Sequence, residues 1–387
     1  VGTVSGTSIS FGSAVQFHTG SVGYTSATFD SNSNKVVISY STLSVNQGQL
    51  AIVGTVSGTS ISFGSATAFN AAAGNSDLAL AATFDSNLNK VVVTYTESYS
   101  GTNKNAIVGT VSGTGISFGS PVTFSTTAAW GDMNATFDSN SNKVVVNYTD
   151  VNSSSRGKAI VGTVSGTSIS FGTEAEFESG TTQYSKAAFD SNSNKVVIAY
   201  RAGSQGKAIV GTVSGTSISF GTSTMFENAA ISGVAATFDS QNNKVLITYR
   251  DYGNSHYGTS VVGTVSGTNI SFSSPSVYSA AETAYSFSTF DSISNKVVIA
   301  FEGSSGSSTD VVVYQTVSGI VTTNLTSENF VGISDGAYTS GVTATIQTSG
   351  AVDDAQSGLT AGQAYFLQED GTIATTADST RVFAGVA

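Results

Sequence analysis

The chain has 387 residues, a formal net charge of −11 from 14 basic and 25 acidic side chains, and no cysteine. The lack of cysteine excludes disulfide scaffolds, thiol nucleophiles and Cys-ligated metal sites. The acidic balance argues against a nucleic-acid surface, and a mean hydropathy of +0.11 without a long apolar run argues against insertion into a membrane. A hydrophobic content of 39% is still enough for a core, and 42 glycines against 2 prolines point to a chain organised by turns.

Two phrases recur along the sequence. The first, GTVSG, places its threonine at Thr3, Thr55, Thr110, Thr163, Thr212 and Thr264, with a weaker TVSG at Thr316. The second, FDSNSNKVV and its variants, starts at Phe29, Phe84, Phe137, Phe189, Phe238 and Phe290. A period of about fifty residues is one supersecondary unit of a solenoid, a propeller or an array. Each unit reads as four strands, illustrated by Ala27–Asp30, Lys35–Tyr40, Ala51–Val56 and Ser60–Phe63. The second and third are continuous apolar runs, which suit burial on both faces, and the fourth alternates, as a half-buried outer strand does. The expected fold is an all-β propeller over residues 1–325, followed by a small β domain over 326–387.

The inner pair ATFD/NKVV occurs six times and the GTVSG element seven times. Six blades close if the N-terminal strands join the blade begun at Phe290, which is the expected arrangement. Seven would need one more inner pair, and a third arrangement leaves the N-terminal pair open to another chain.

In a four-stranded meander the 1–2 and 3–4 turns share one face of the ring. Here they are the near-constant DSNSN and VSGTS. The 2–3 loops and the links between blades fall on the other face and vary. That variable face gathers Tyr24, Tyr99, Trp130, Tyr184, Tyr252, His256, Tyr257 and Tyr285, a set suited to stacking on sugar rings.

The aspartates Asp30, Asp85, Asp138, Asp190, Asp239 and Asp291 open turns with oxygens at alternate positions, as calcium loops do, but each turn supplies one carboxylate and no downstream glutamate. Asx residues are also the ordinary opening of a tight turn. The lysines that follow (Lys35, Lys90, Lys143, Lys195, Lys244, Lys296) are expected to pair with these aspartates. Arg156, Arg201 and Arg250 lie in successive 2–3 loops and could converge. His18 and His256 fall in different repeats, which gives no support to a Ser-His-Asp arrangement or a His-based zinc site. No catalytic, cofactor or metal residue is assigned, and no cofactor is expected.

From about Thr326 the composition turns acidic. Seven carboxylates stand against Arg381 alone, a net of −6, which leaves −5 for the rest of the chain. Strands are expected at Phe330–Ser334, Val342–Thr348, Ala364–Gln368 and Arg381–Ala387. The last, VFAGVA, is an apolar strand that must dock within the chain or on a neighbour. With the strand at VGTVSG it suggests head-to-tail self-association into a fibre.

The segments VSGTSISFGS and ATFDSNSNKVVISY resemble a repeat family of phage and bacterial surface proteins. The stretch from ENFVGISDGAYTSG to the end is similar to small β modules that end phage tail-fibre-like and other virion-associated proteins. That resemblance implies an extracellular or virion-surface structural role and no enzymatic activity. The function expected is therefore a building block of an extracellular filament or phage tail appendage, with a glycan-binding adhesin as the alternative.

Overall fold

A computed structural model describes residues 1–43, 48–71, 79–97, 103–126, 132–303, 309–314 and 316, together with short stretches between 333 and 386. The chain divides into two compact units, Val1–Thr316 and Val317–Ala387.

The first unit is a β-propeller of antiparallel meanders. Blade one is built from Val22–Asp30, Lys35–Thr42, Gln49–Ser57 and an outer strand in two pieces, Ser60–Phe63 and Thr67–Asn70. Both pieces pair with Gln49–Ser57, the first through Gly54↔Phe63 and the second through Ala51↔Thr67. Blades two to five repeat this order from Leu80, Met133, Thr182 and Ile231. Blade six has three described strands: the end of Ser276–Asp291, then Lys296–Gly303 and Thr309–Tyr314.

The constant phrases have local causes. Each Asp after the Phe accepts from two backbone N–H groups. Asp190 Oδ1 takes Asn192 N at 2.9 Å and Ser193 N at 3.0 Å, and its Oδ2 takes Ser193 Oγ at 2.6 Å. The last turn residue, Asn34 and its five counterparts, stands at φ 52–56°, a left-handed position that Asn tolerates. Three of the lysines that follow turn to a different partner from the expected turn aspartate. Lys35, Lys90 and Lys244 each reach the GTVSG threonine on the neighbouring third strand, at 2.9 Å, so Thr55, Thr110 and Thr264 hold the lysine tips. The 3–4 turn spans two residues and begins with a glycine at φ +58 to +61°, as a type II′ hairpin requires.

The glycine of SFG reads as a turn residue in the sequence, but its role is contact between blades. A Cβ at Gly64, Gly119, Gly172 or Gly221 would overlap the carbonyl oxygen of Thr114, Thr167, Thr216 or Thr268 in the next blade. Beside it, an aromatic cluster bridges each seam. Phe177 lies edge-on to Tyr200 at 5.1 Å and near Phe220 at 5.8 Å, and Phe69, Phe124 and Phe226 repeat the arrangement. Core clusters accordingly span neighbouring blades, as where Val145, Ala159 and Val161 pack with Val196, Ile198 and Ile209.

The closure differs from the expected joining of the N-terminal strands to blade six. Gly2–Ser5 and Ser8–Phe11 pair only with each other among the described residues. A Cβ at Gly12 would overlap Thr59 of blade one, and Phe17 packs on Tyr40 at 5.2 Å and Phe63 at 6.0 Å, so the pair precedes blade one as each blade precedes the next. On its other side Ser8–Phe11 lies against Thr309–Tyr314 of blade six, as each outer strand lies against the third strand of the blade before it. The N-terminal pair thus holds a seventh ring position between blades six and one, while six inner pairs line the channel.

In the second unit, Ile333–Ser334 pairs with Ile346–Gln347. Ala364–Leu367 forms the centre of a three-stranded sheet between Ile373–Ala374 and Val382–Val386. The expected terminal strand is therefore docked within its own unit on one side.

Candidate functional site

The first strand of each blade lines the central channel. Counting back five residues from the repeat Phe gives Tyr24, Ala79, Asp132, Tyr184, Gly233 and Tyr285 in the six blades. Around this position the pairing register slips in blades one, four, five and six, between Gly23/Thr25, Gln183/Lys186, Ser232/Ala235 and Thr283/Ser286. Tyr24 and Tyr184 take φ 34° and 54°, and Gly233 takes φ 58°. A left-handed backbone at a bulky aromatic residue is costly, and bulges of this kind re-aim side chains.

The bulges face a two-lobed cavity of about 590 and 610 Å³. Tyr24, Leu80, Asp132, Tyr184 and Lys186 line both lobes, and Tyr285, Phe287 and Glu302 line the second. Two charged groups of opposite sign meet here. Asp132 accepts from the backbone N–H of Tyr184 in the next blade. Burial raises the Asp132 pKa against the opposing pull of Lys186, and burial lowers that of Lys186 against the pull of Asp132. Both residues are half-buried with protein packed around them, so each is less disposed to carry charge than on an open surface. Burial also raises the Tyr184 pKa, helped by Tyr252, Asp132 and Tyr285.

A second cluster lies at the seam of blades five and six. Arg250 pairs with Glu282 and lies 4.9 Å over the ring of Tyr252. His256 Nδ1 stands 2.9 Å from the same glutamate oxygen and 3.0 Å from Arg250 Nη2, with its ring 4.7 Å from that of Tyr252.

The three loop arginines do not converge. Arg156 bridges Glu176 on the outer strand of its own blade at 3.0 Å. Arg201 donates to the carbonyls of Gly203 at 2.6 Å and Ile231 at 3.4 Å. Arg250 is held by Glu282 and His256. The two histidines are likewise apart, His18 against Tyr40 and His256 against Glu282. The turn aspartates offer their oxygens to N–H and O–H donors, and no cluster of metal-ligating side chains occurs among the described residues. Trp130 and Tyr99 lie outside the described residues. Sequence reasoning singled out Tyr24, Tyr184, Tyr252, His256 and Tyr285 but missed Asp132 and Lys186. Aligning the repeats on their Phe would have found both, because they stand where the other blades carry mostly small, aromatic or neutral residues.

No family model and no curated protein matches this sequence. Among solved structures, the leech intramolecular trans-sialidase aligns with a TM-score of 0.52 and 8% identity, over 79% of this chain and 70% of that one. The Hadza microbial sialidase Hz136 aligns at 0.48 and 11% identity over 75% of this chain, which spans 65% of that protein's length. The propeller domain of Myceliophteria thermophila Cps50 (Swd1) aligns at 0.48 and 9%, over 79% and 86% of the two chains. At such identities the likeness concerns the fold. The chain is a β-propeller.

Proposed function

We propose that this propeller is a binding module of an extracellular or virion-surface structure, without catalysis of its own, and that its channel mouth takes a saccharide. The observation that carries the reading is the position shared by Tyr24, Tyr184 and Tyr285. Three blades place a tyrosine at one repeat position on the wall of a single cavity, two of them in a left-handed backbone. Aromatic faces stack on the C–H faces of sugar rings, while Asp132 and Lys186 can accept from and donate to hydroxyls. Glycan-array binding by the full chain, compared with Tyr184→Ala and Tyr285→Ala, tests this. Selective binding lost in both variants is expected. Absence of any bound glycan, or binding indifferent to both changes, would refute it.

A second reading, a subunit of a filament or phage tail appendage, is favoured by one further observation. Val382–Val386 is the edge strand of its sheet among the described residues, and its sequence, VFAGV, carries no charge. Edge pairing with a neighbouring chain would then build the fibre. Negative-stain microscopy of concentrated protein should show filaments, and a sample that remains monomeric would exclude that reading.

A further inference from the structure

The seventh ring position holds outer strands without inner ones. In blade one, the second strand sets Val36 opposite Gly54, and in blade two Val91 stands opposite Gly109. The counterpart of these glycines at the seventh position is Gly2, whose edge carries no strand among the described residues. Among the described residues, space is therefore open inward of Gly2–Phe11, between the flank of blade six and the flank of blade one.

Both flanks show what is missing. Phe84 of blade two packs toward blade one and is 9% exposed, whereas its counterpart Phe29, which faces the seventh position, is 53% exposed. Val36 and Ile38 are half-buried, although the same positions in blades two to six are sealed. On the opposite side Val298 and Ala300 are half-buried where Val92, Thr94, Val145, Asn147, Val197 and Ala199 are fully enclosed. Phe287 is 63% exposed, while its counterparts Ser26 and Asn134 each hydrogen-bond a backbone N–H of the next blade. The exposure is thus confined to the faces that meet a neighbouring inner hairpin everywhere else in the ring.

We propose that the seventh position is a docking site for a two-stranded antiparallel hairpin with the inner-strand pattern of this repeat, an ATFD-type strand turned through an Asx loop into a KVV-type strand. The slot sets the chemistry of the occupant. It has apolar walls on both sides, so the occupant must be apolar on both faces, as the second strands of the six blades are. It ends at the edge of Gly2, so the occupant must present backbone donors and acceptors. It continues a ring in which every other junction buries the same two surfaces. A single helix or a saccharide meets neither the two-walled nor the backbone requirement.

The test uses the full chain and a synthetic peptide with the sequence of residues 182–202, the inner hairpin of blade four. Saturable binding at one peptide per chain is expected, with new amide-exchange protection over residues 29–38 and 297–301. Phe29→Asp and Val298→Asp should each weaken binding by at least about tenfold, since a charge would enter an apolar junction. Ile293→Asp, at a turn residue 94% exposed, should leave it unchanged. Melting of each variant alone establishes that it folds, and exchange protection in the unmodified chain stands apart from any variant. Absence of binding and protection would overturn the proposal. So would binding insensitive to both wall substitutions, or a dimer in the peptide-free chain that already protects residues 29–38 and 297–301, since a second copy would then fill the slot.

Discussion

Blade three contains three glycines of the repeat phrase whose replacement by alanine should have three different costs. At Gly172 a Cβ would overlap the Thr216 carbonyl oxygen of blade four and stand 2.8 Å from its carbonyl carbon. That obstacle is backbone fixed by its own hairpin, so two blades must part, and a loss of about 3 kcal/mol or more is expected, at the upper end for overpacking. At Gly162 the new methyl would meet Ile169 Cδ1 at 2.7 Å and Phe171 Cε1 at 2.9 Å. These are side-chain ends that can shift, which places the loss at about 1–2 kcal/mol. At Gly166, with φ +59° and open space around it, only the left-handed backbone is penalised, by about 1 kcal/mol. Chemical denaturation followed by tryptophan-independent circular dichroism gives the three midpoints, and unchanged slopes would show that the unfolding reaction is the same. If Gly172→Ala proved as mild as Gly166→Ala, the glycine contact would not be what locks the blades together.

Other consequences are open to the same kind of measurement. Asp190→Ala leaves Asn192 N, Ser193 N and Ser193 Oγ without their acceptor and should lower stability by about 1–3 kcal/mol, while Asp190→Asn should recover part of it. Phe177→Ala removes the ring that bridges Tyr200 and Phe220, and a loss of about 3–5 kcal/mol is expected, whereas the equivalent Phe17→Ala should release only residues 1–18, seen as local amide exchange without a matching fall in global stability. Lys104 is fully enclosed, and burial pulls its pKa down to about 8 against the charge of Asp150. The folded protein therefore releases this proton from about pH 8 and the unfolded chain only near 10.5, so the group's destabilising effect is full below pH 8 and fades between the two values. Lys104→Met should accordingly be more stable than the parent at pH 7, with the difference shrinking as the pH rises through that window.

What the sequence disclosed and what it withheld follow from where the physics is local. The meander was legible because Asp-Ser-Asn-Ser-Asn and Ser-Gly-Thr-Ser satisfy or permit their own backbone conformations, so each turn announces itself within six residues. The apolar run Lys35–Tyr40 marked the buried second strand for the same reason. In sequence the outer strand ends early because Gly64 looks like a turn, although its reason for being glycine is Thr114, fifty residues away. Sequence proximity points the lysines to the aspartates beside them, whereas the turn donors occupy those carboxylates and the third-strand threonines lie within reach of Lys35, Lys90 and Lys244. The channel was hidden for another reason. Asp132 and Lys186 sit outside the constant phrases, at bulges whose register no period reveals. The ring closure likewise depends on seams rather than strands: the contacts of Gly12 and Phe17 with blade one and of Ser8–Phe11 with blade six fix the N-terminal pair at the seventh position.

The self-contained constant-face turns have a consequence for how the molecule can vary. In blades one, two and five the Asx turn, the Lys–Thr bridge and the glycine hairpin hold the register from one end of the strands, while the described residues of the 2–3 loops at the other end supply none of these anchors. A loop can therefore change in length or sequence while the anchors at the opposite end keep the strands of its own blade in register. The propeller amounts to six sockets around a common mouth, in which recognition can be rewritten at the loops while the frame that presents it stays the same.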